Sequence, residues 1–231
     1  FSPDVNTERS EGVHNNGTIK GSLELTNGKF GKSRYMPVNS ISNNISLIGV
    51  NNFPSVNITV LFWMNASGNN DGIFAYSSSS SPNEFLIFAP ESLNIYRTDT
   101  FSTGATGVVV NDGKWHHVAV KWSGNGTVEV FKDGTQRFSG SLDPNSAIVG
   151  GGCLVLGQEQ DSLCGGFNTG QAMNGVIDEL AVWNRTLSEA EIRQLYLRGA
   201  YRLNVSARAC DDSACAGETY TNIQPNNITA G

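Results

Sequence analysis

Apolar and polar residues alternate in short bursts along much of this chain. In Trp115–Trp122 the residues Val118, Val120 and Trp122 fall on one face, and His117, Ala119 and Lys121 on the other, because side chains on a strand repeat every two residues. Similar runs occupy 21–26, 55–63, 84–88, 127–132 and 153–157. Asp133-Gly134, after the alternation of 127–132, signals a tight hairpin turn. One segment has a helical period instead. In Leu187–Tyr196, Ile192, Leu195 and Tyr196 share a face, Ser188 and Glu191 stand at capping-box spacing, and Gly199 offers a stop. Strands at this density without interleaved helices predict a sandwich of antiparallel sheets.

Composition agrees with that prediction. Charged residues are 16% of the 231, and there are 26 glycines, a balance suited to many turns. The net charge of −6, with no Lys/Arg cluster to neutralise phosphates, argues against a nucleic-acid partner. No apolar run is long enough for a membrane span. The opening Phe1-Ser2-Pro3-Asp4 lacks a signal-peptide pattern and is expected to be a mature or excised start. Residues 1–17 and 206–231 are polar and weakly patterned, and are expected to be tails or contact segments.

Two features predict an extracellular, secreted or cell-surface location. Eight N-glycosylation sequons begin at Asn16, Asn44, Asn57, Asn65, Asn125, Asn184, Asn204 and Asn227. The four cysteines form two close pairs, Cys153/Cys164 and Cys210/Cys215. Three connectivities are open to four cysteines, and two local disulfides are the expectation. The first pair brackets Glu159-Gln160-Asp161 in a chain otherwise poor in charge, which raises two chemistries: a calcium loop or a hydrolase's acid pair.

Asp112–Trp122 with Val128–Gly134, and Gly175–Ile192 beyond them, resemble the paired strands and the closing strand and helix of laminin-G-like and pentraxin domains. Gly151-Gly-Cys-Leu-Val-Leu-Gly-Gln-Glu-Gln-Asp-Ser162 is similar to the pentraxin calcium loop. The resemblance runs from about residue 18 to 200. It implies a fold that is all-β, a two-sheet antiparallel jelly-roll sandwich with one short helix near the C-terminal end. The expected division is therefore a segment 1–17, a jelly-roll domain 18–205 and a segment 206–231 carrying a short Cys loop.

The resemblance also implies a ligand set for one Ca²⁺: Glu159, the carbonyl of Gln160, Asp161, Gln171 and Asn83. Two of the family's acids are absent, Pro82 standing where an Asp precedes the Asn and Asn168 where a second ion's carboxylate belongs. Calcium favours six to eight oxygens with several carboxylates, so a single site is expected rather than a pair. The family's intersheet disulfide is replaced by Ala119 and Leu61. The Cys153–Cys164 bridge is expected to hold the loop in shape before any ion binds.

Catalysis has less support. Glu159-Gln-Asp161 is similar to the Glu-x-Asp-x-x-Glu triplet of jelly-roll glucanases, but Cys164 occupies the second Glu position, and one carboxylate cannot serve as both nucleophile and acid. Adjacent His116 and His117 face opposite ways on a strand and cannot share a metal. Trp63, Trp115, Trp122 and Trp183 are expected to pack in the core, and Ser77–Ser81 to form a flexible loop tip. The expected function is non-catalytic binding of a glycan, glycoconjugate or extracellular protein, as a homo-oligomer or as a module of a larger protein. The alternative is a glycosylated structural subunit whose tails add strands to neighbouring sheets.

Overall fold

The computed structural model describes the backbone of residues 7–8, 17–37, 40–200, 205–207 and 221–223, and side chains within 17–37 and 40–200. Two antiparallel sheets carry the core between them. The first runs in the order β1 (Thr7–Glu8), β2 (Gly17–Lys20), β5 (Asn44–Val50), β14 (Gly152–Leu156), β7 (Gly72–Ser77), β8 (Phe85–Phe88), β9 (Asn94–Arg97), β10 (Phe101–Ser102). The second runs β13 (Thr135–Ser141), β12 (Thr127–Lys132), β11 (Trp115–Ser123), β6 (Asn57–Ala66), β15 (Gly175–Trp183), β4 (Lys32–Met36), β3 (Glu24–Asn27). Val205–Ala207 (β16) and Thr221–Ile223 (β17) pair separately. This is the two-sheet antiparallel jelly roll, with one α-helix among the described residues, α1 (Glu189–Ala200), near the C-terminal end.

The alternation read in the sequence sets the core. Val118 opposes Phe62 and Val120 opposes Val60 across β11 and β6. These residues join Phe74, Phe85, Ile87 and Leu154 of the first sheet in one buried cluster. Asp133 and Gly134 both have positive φ, 52° and 73°, and join β12 to β13 as the tight turn expected. The run expected at 21–26 forms its strand slightly later, at Glu24–Asn27.

The second sheet's outer face is covered by α1. Ala119 and Leu61 lie opposite one another on neighbouring strands and form a small core with Phe131, Leu187 and Ile192. Their position corrects the intersheet reading: both belong to one sheet and face the helix. Ser188 and Glu191 make the capping box, with Ser188 N–H donating to Glu191 Oε2 at 2.8 Å and Glu191 N–H to Ser188 Oγ at 3.3 Å. Gly199 does not stop the helix, which continues to Ala200. Its role is close approach: a Cβ there would lie 2.5 Å from the Trp63 ring.

Trp63 and Trp122 are buried, whereas Trp183 is 37% exposed, so the expectation of core packing holds for only part of the set. Trp122 also meets a residue the hydrophobic pattern does not announce. Arg97 is 1% exposed, lies 4.6 Å over the Trp122 ring, and pairs with Glu84 at 3.3 Å and Asp143 at 3.6 Å. Alternation does put Arg97 on the same face as buried Ile95, and that is the signal that finds it.

Candidate metal centre

With α1 on the second sheet, the loop after β14 lies across the outer face of the first. Gly72 lets it sit directly on β7, since a Cβ there would fall 2.2 Å from the Glu159 nitrogen. Gln160 fixes it from below. Its side chain is fully buried; Oε1 accepts from Ser77 Oγ at 2.8 Å and Cys164 N–H at 3.0 Å, and Nε2 donates to the carbonyls of Ala75 at 2.7 Å and Cys153 at 3.2 Å. All four hydrogen-bonding positions of that amide are used. The Cys153–Cys164 disulfide closes the loop with Cα atoms 5.5 Å apart, and Ser162 and Gly165 exchange backbone bonds at its tip. Cys210 and Cys215 lie outside the described residues.

Asn168, aligned with an acid in the pentraxin pattern, serves the loop in another way. Its Oδ1 accepts from Gly170 N–H at 2.9 Å and caps the short 3₁₀ turn Thr169–Gln171, which presents Gln171.

The third segment is Ser77–Asn83, and it corrects the loop-tip expectation. Ser77, Ser78 and Ser81 are buried. Ser78 Oγ donates to Glu84 Oε2 at 2.8 Å and accepts from Ser80 N–H at 3.0 Å, and Asn83 N–H donates to Ser81 Oγ at 3.2 Å. Asn83 Nδ2 donates to Asp99 Oδ1 at 2.9 Å, and Ser81 Oγ donates to Asp99 Oδ2 at 3.2 Å. Composition alone hid this framework because serines in a run suit a free loop equally well.

These segments converge on Glu159, which is 3% exposed. Burial pushes its carboxyl up to about 7, and the charges of Asp161 and Asp99 add to the rise, while the amides of Asn83 and Gln171 oppose it. Glu159, Asp161, Asn83 and Gln171 are thus brought together from distant positions, with Gln160 anchoring the loop by its side chain. Asp99 was not anticipated; nothing in its local pattern marks it. Three buried oxygens here, Glu159 Oε2, Asn83 Oδ1 and Gln171 Oε1, accept no hydrogen bond. Buried acceptors are ordinarily satisfied, so an unpartnered set on convergent side chains fits a bound cation. Among the described residues, no three His, Cys, Asp or Glu side chains cluster as a ready metal cage, so the donor set depends on amide oxygens. Oxygen donors of this kind suit a hard cation such as Ca²⁺ and do not suit zinc.

The histidines are engaged elsewhere. His116 bridges Asp133 Oδ2 at 2.8 Å and Asp112 Oδ1 at 2.9 Å, whereas His117 packs against Trp63 and Tyr196, and burial lowers its pKa to about 4. Of the sequon asparagines, Asn57, Asn125 and Asn184 are exposed, and Asn65 is half-buried. Asn44 is 2% exposed within β5, and a glycan cannot be accommodated without opening that packing, which removes it from the expected acceptors. Asn16, Asn204 and Asn227 lie outside the residues whose side chains are described.

A jelly roll with one face covered by a helix and the other by an oxygen-lined loop defines a pentraxin- and lectin-like domain. The chain belongs to the concanavalin A-like lectin/glucanases superfamily, whose laminin-G-type model matches residues 39–193. Human neuronal pentraxin-1 is 37% identical over 144 residues, 59% of this chain and 33% of that protein. Guinea-pig (Cavia porcellus) neuronal pentraxin-2 is 32% identical over 142 residues, with the same coverage. The chain thus spans about a third of the length of these relatives. Two solved structures share the fold at 20% identity. The heptameric SAP-like pentraxin of Limulus polyphemus has a TM-score of 0.58 and covers 82% of this chain and 90% of its own. Domain 4 of the Geobacillus stearothermophilus arabinanase AbnA, in complex with arabinotriose, has a TM-score of 0.62 and covers 78% and 87%.

Proposed function

We propose that this chain is a calcium-dependent, non-catalytic recognition module of an extracellular protein, binding a glycan or glycoconjugate through the loop on the first sheet. The observation that carries this reading is the set of three unpartnered buried oxygens on Asn83, Glu159 and Gln171. Asn83, Glu159, the Gln160 carbonyl, Asp161 and Gln171 would hold the ion. A bound Ca²⁺ supplies a positive centre to which ligand oxygens complete the coordination shell. Asn83 ties the segment before β8 to the loop after β14, and the disulfide with the Gln160 amide keeps that loop in place before binding.

The resemblance to neuronal pentraxins and to an arabinotriose-bound domain supports recognition over chemistry. So does Cys164: a disulfide occupies the place where a glucanase-type triplet needs its second acid. Exposed Asn57, Asn125 and Asn184 can carry glycans on such a secreted or ectodomain module.

The test is thermal unfolding with millimolar Ca²⁺ and with chelator, on the native chain and on Asp161→Ala. A ligand bound only by the folded state adds about 2.7 kcal/mol at a hundredfold excess over its Kd. A calcium-dependent rise in melting temperature that disappears in the variant is expected. An unchanged native chain would overturn the reading and favour a structural subunit with a disulfide-clamped loop.

A further inference from the structure

The calcium reading leaves a deficit of charge. Pro82 stands where a carboxylate is expected, which leaves Glu159 and Asp161 as the only acids of the anticipated set. The structure brings another acid to the same place from a different direction. Asp99 lies in the turn between β9 and β10, beside Thr98, whose φ is +56°. Resting on the calcium reading above, we propose that Asp99 is the replacement for the missing carboxylate, acting on the ion's site through Asn83.

Two contacts fix its role. Asp99 Oδ1 accepts from Asn83 Nδ2 at 2.9 Å, and Oδ2 accepts from Ser81 Oγ at 3.2 Å. With Nδ2 committed to Asp99, the oxygen end of the Asn83 amide is the end left over, and it is buried without a partner. An amide rotates as a unit, so fixing its nitrogen on Asp99 also fixes the direction of its oxygen. The same carboxylate adds a negative charge beside Glu159, whose Oε2 is also unpartnered in a residue 3% exposed.

The placement is rigid rather than incidental. Two residues before Asp99, buried Arg97 donates to the Glu84 carbonyl through Nη1 and to the Ala147 carbonyl at 3.1 Å, and pairs with the Glu84 carboxylate at 3.3 Å. Glu84 directly follows Asn83. The Arg97–Glu84 pair therefore joins the end of β9 to the start of β8, and brings Asp99 and Asn83 together whether or not an ion is present. A charge supplied from the next hairpin replaces one that the local segment lost.

Asp99→Asn removes the charge and largely keeps the hydrogen bonding, because its amide oxygen can still accept from Asn83 Nδ2 while its NH2 donates to Ser81 Oγ, a hydroxyl that can turn to accept. Calcium binding is measured by calorimetry on the native chain, Asp99→Asn, the double variant Asp99→Asn/Pro82→Asp, and Glu24→Gln as a remote charge control. Expected is about a tenfold weaker Kd for Asp99→Asn, the loss of roughly one favourable charge interaction. Recovery is expected in the double variant and no change in Glu24→Gln. Native affinity in Asp99→Asn would overturn the role of Asp99 and leave the calcium reading intact, whereas a native chain that binds no calcium would overturn both. Should Asp99→Asn lower the melting temperature in chelator, the double variant decides. Restored affinity supports the relocated charge, and affinity left weak overturns it.

Discussion

Ser77 on β7 and Gln160 in the loop above it are joined through Ser77 Oγ and Gln160 Oε1 at 2.8 Å, with both side chains fully buried. The bond ties the cation loop to the sheet beneath it; of the remaining three bonds of the Gln160 amide, two reach β7 and β14 and the third holds Cys164 within the loop. Replacing Gln160 by Ala leaves the Ala75 and Cys153 carbonyls without this donor and opens a cavity. The expected loss is about 2–4 kcal/mol in urea unfolding, with calcium affinity falling as well. A variant with native stability would show that the loop holds itself through the disulfide alone.

The second prediction concerns pH. Burial raises the Glu159 carboxyl from 4.5 to about 7 in the folded chain. The folded state therefore keeps a proton that the unfolded state has released, and stability falls as pH rises between those two values. The full effect is about 3 kcal/mol. His117 acts in the opposite sense: its pKa falls from 6.5 to about 4, so stability is gained as pH rises through that interval. Asp71, raised to about 6 by burial, has the sign of Glu159 but completes its change at lower pH. From about pH 6.5 to 8 the Glu159 decline outweighs the tail of the His117 gain. In chelator, the melting temperature should decline across this window in the native chain and lose that decline in Glu159→Gln. A flat native profile would contradict the buried carboxyl.

Much of the fold was legible because its causes are local. The alternation through Val118, Val120 and Trp122, the Asp133-Gly134 turn and the Ser188–Glu191 capping box each state their structure within a few residues. β7 was not legible, because Gly72–Ser77 is buried on both faces and so lacks alternation. The site divided in the same way. Glu159 and Asp161 are adjacent in sequence and matched a known loop, and Asn83 and Gln171 came with that resemblance. Asp99 is remote from all of them, and only the pairing of β8 with β9 brings it beside Asn83. The serines of 77–81 show the limit of composition, which cannot distinguish a hydroxyl in water from one holding Glu84 or Gln160.

Gly199 gives a prediction whose sign separates two effects. Alanine in a helix is favoured over glycine by about 1 kcal/mol. A Cβ at this position, however, meets Trp63 ring atoms at 2.5–2.6 Å, and that ring is packed against Tyr196 and His117. Overpacking of this kind costs about 1–3 kcal/mol, so Gly199→Ala should be destabilised overall and shift the tryptophan emission. A gain in stability would mean that α1 slides on the sheet with little resistance.

The charge of the site makes the last prediction one about ligand class. Glu159, Asp161 and Asp99 together carry one negative charge more than a single Ca²⁺ neutralises. A phosphate monoester approaching the ion meets that excess, whereas an uncharged pair of sugar hydroxyls does not and can offer two oxygens to the cation. Retention on a neutral polysaccharide resin in calcium, released by chelator, is therefore expected to exceed retention on a phosphomonoester resin of matched density. Removing one charge with Asp99→Asn should narrow that preference even as it weakens calcium binding. Stronger calcium-dependent retention on the phosphomonoester resin would show that the ion's field at the surface is not offset by these three carboxylates.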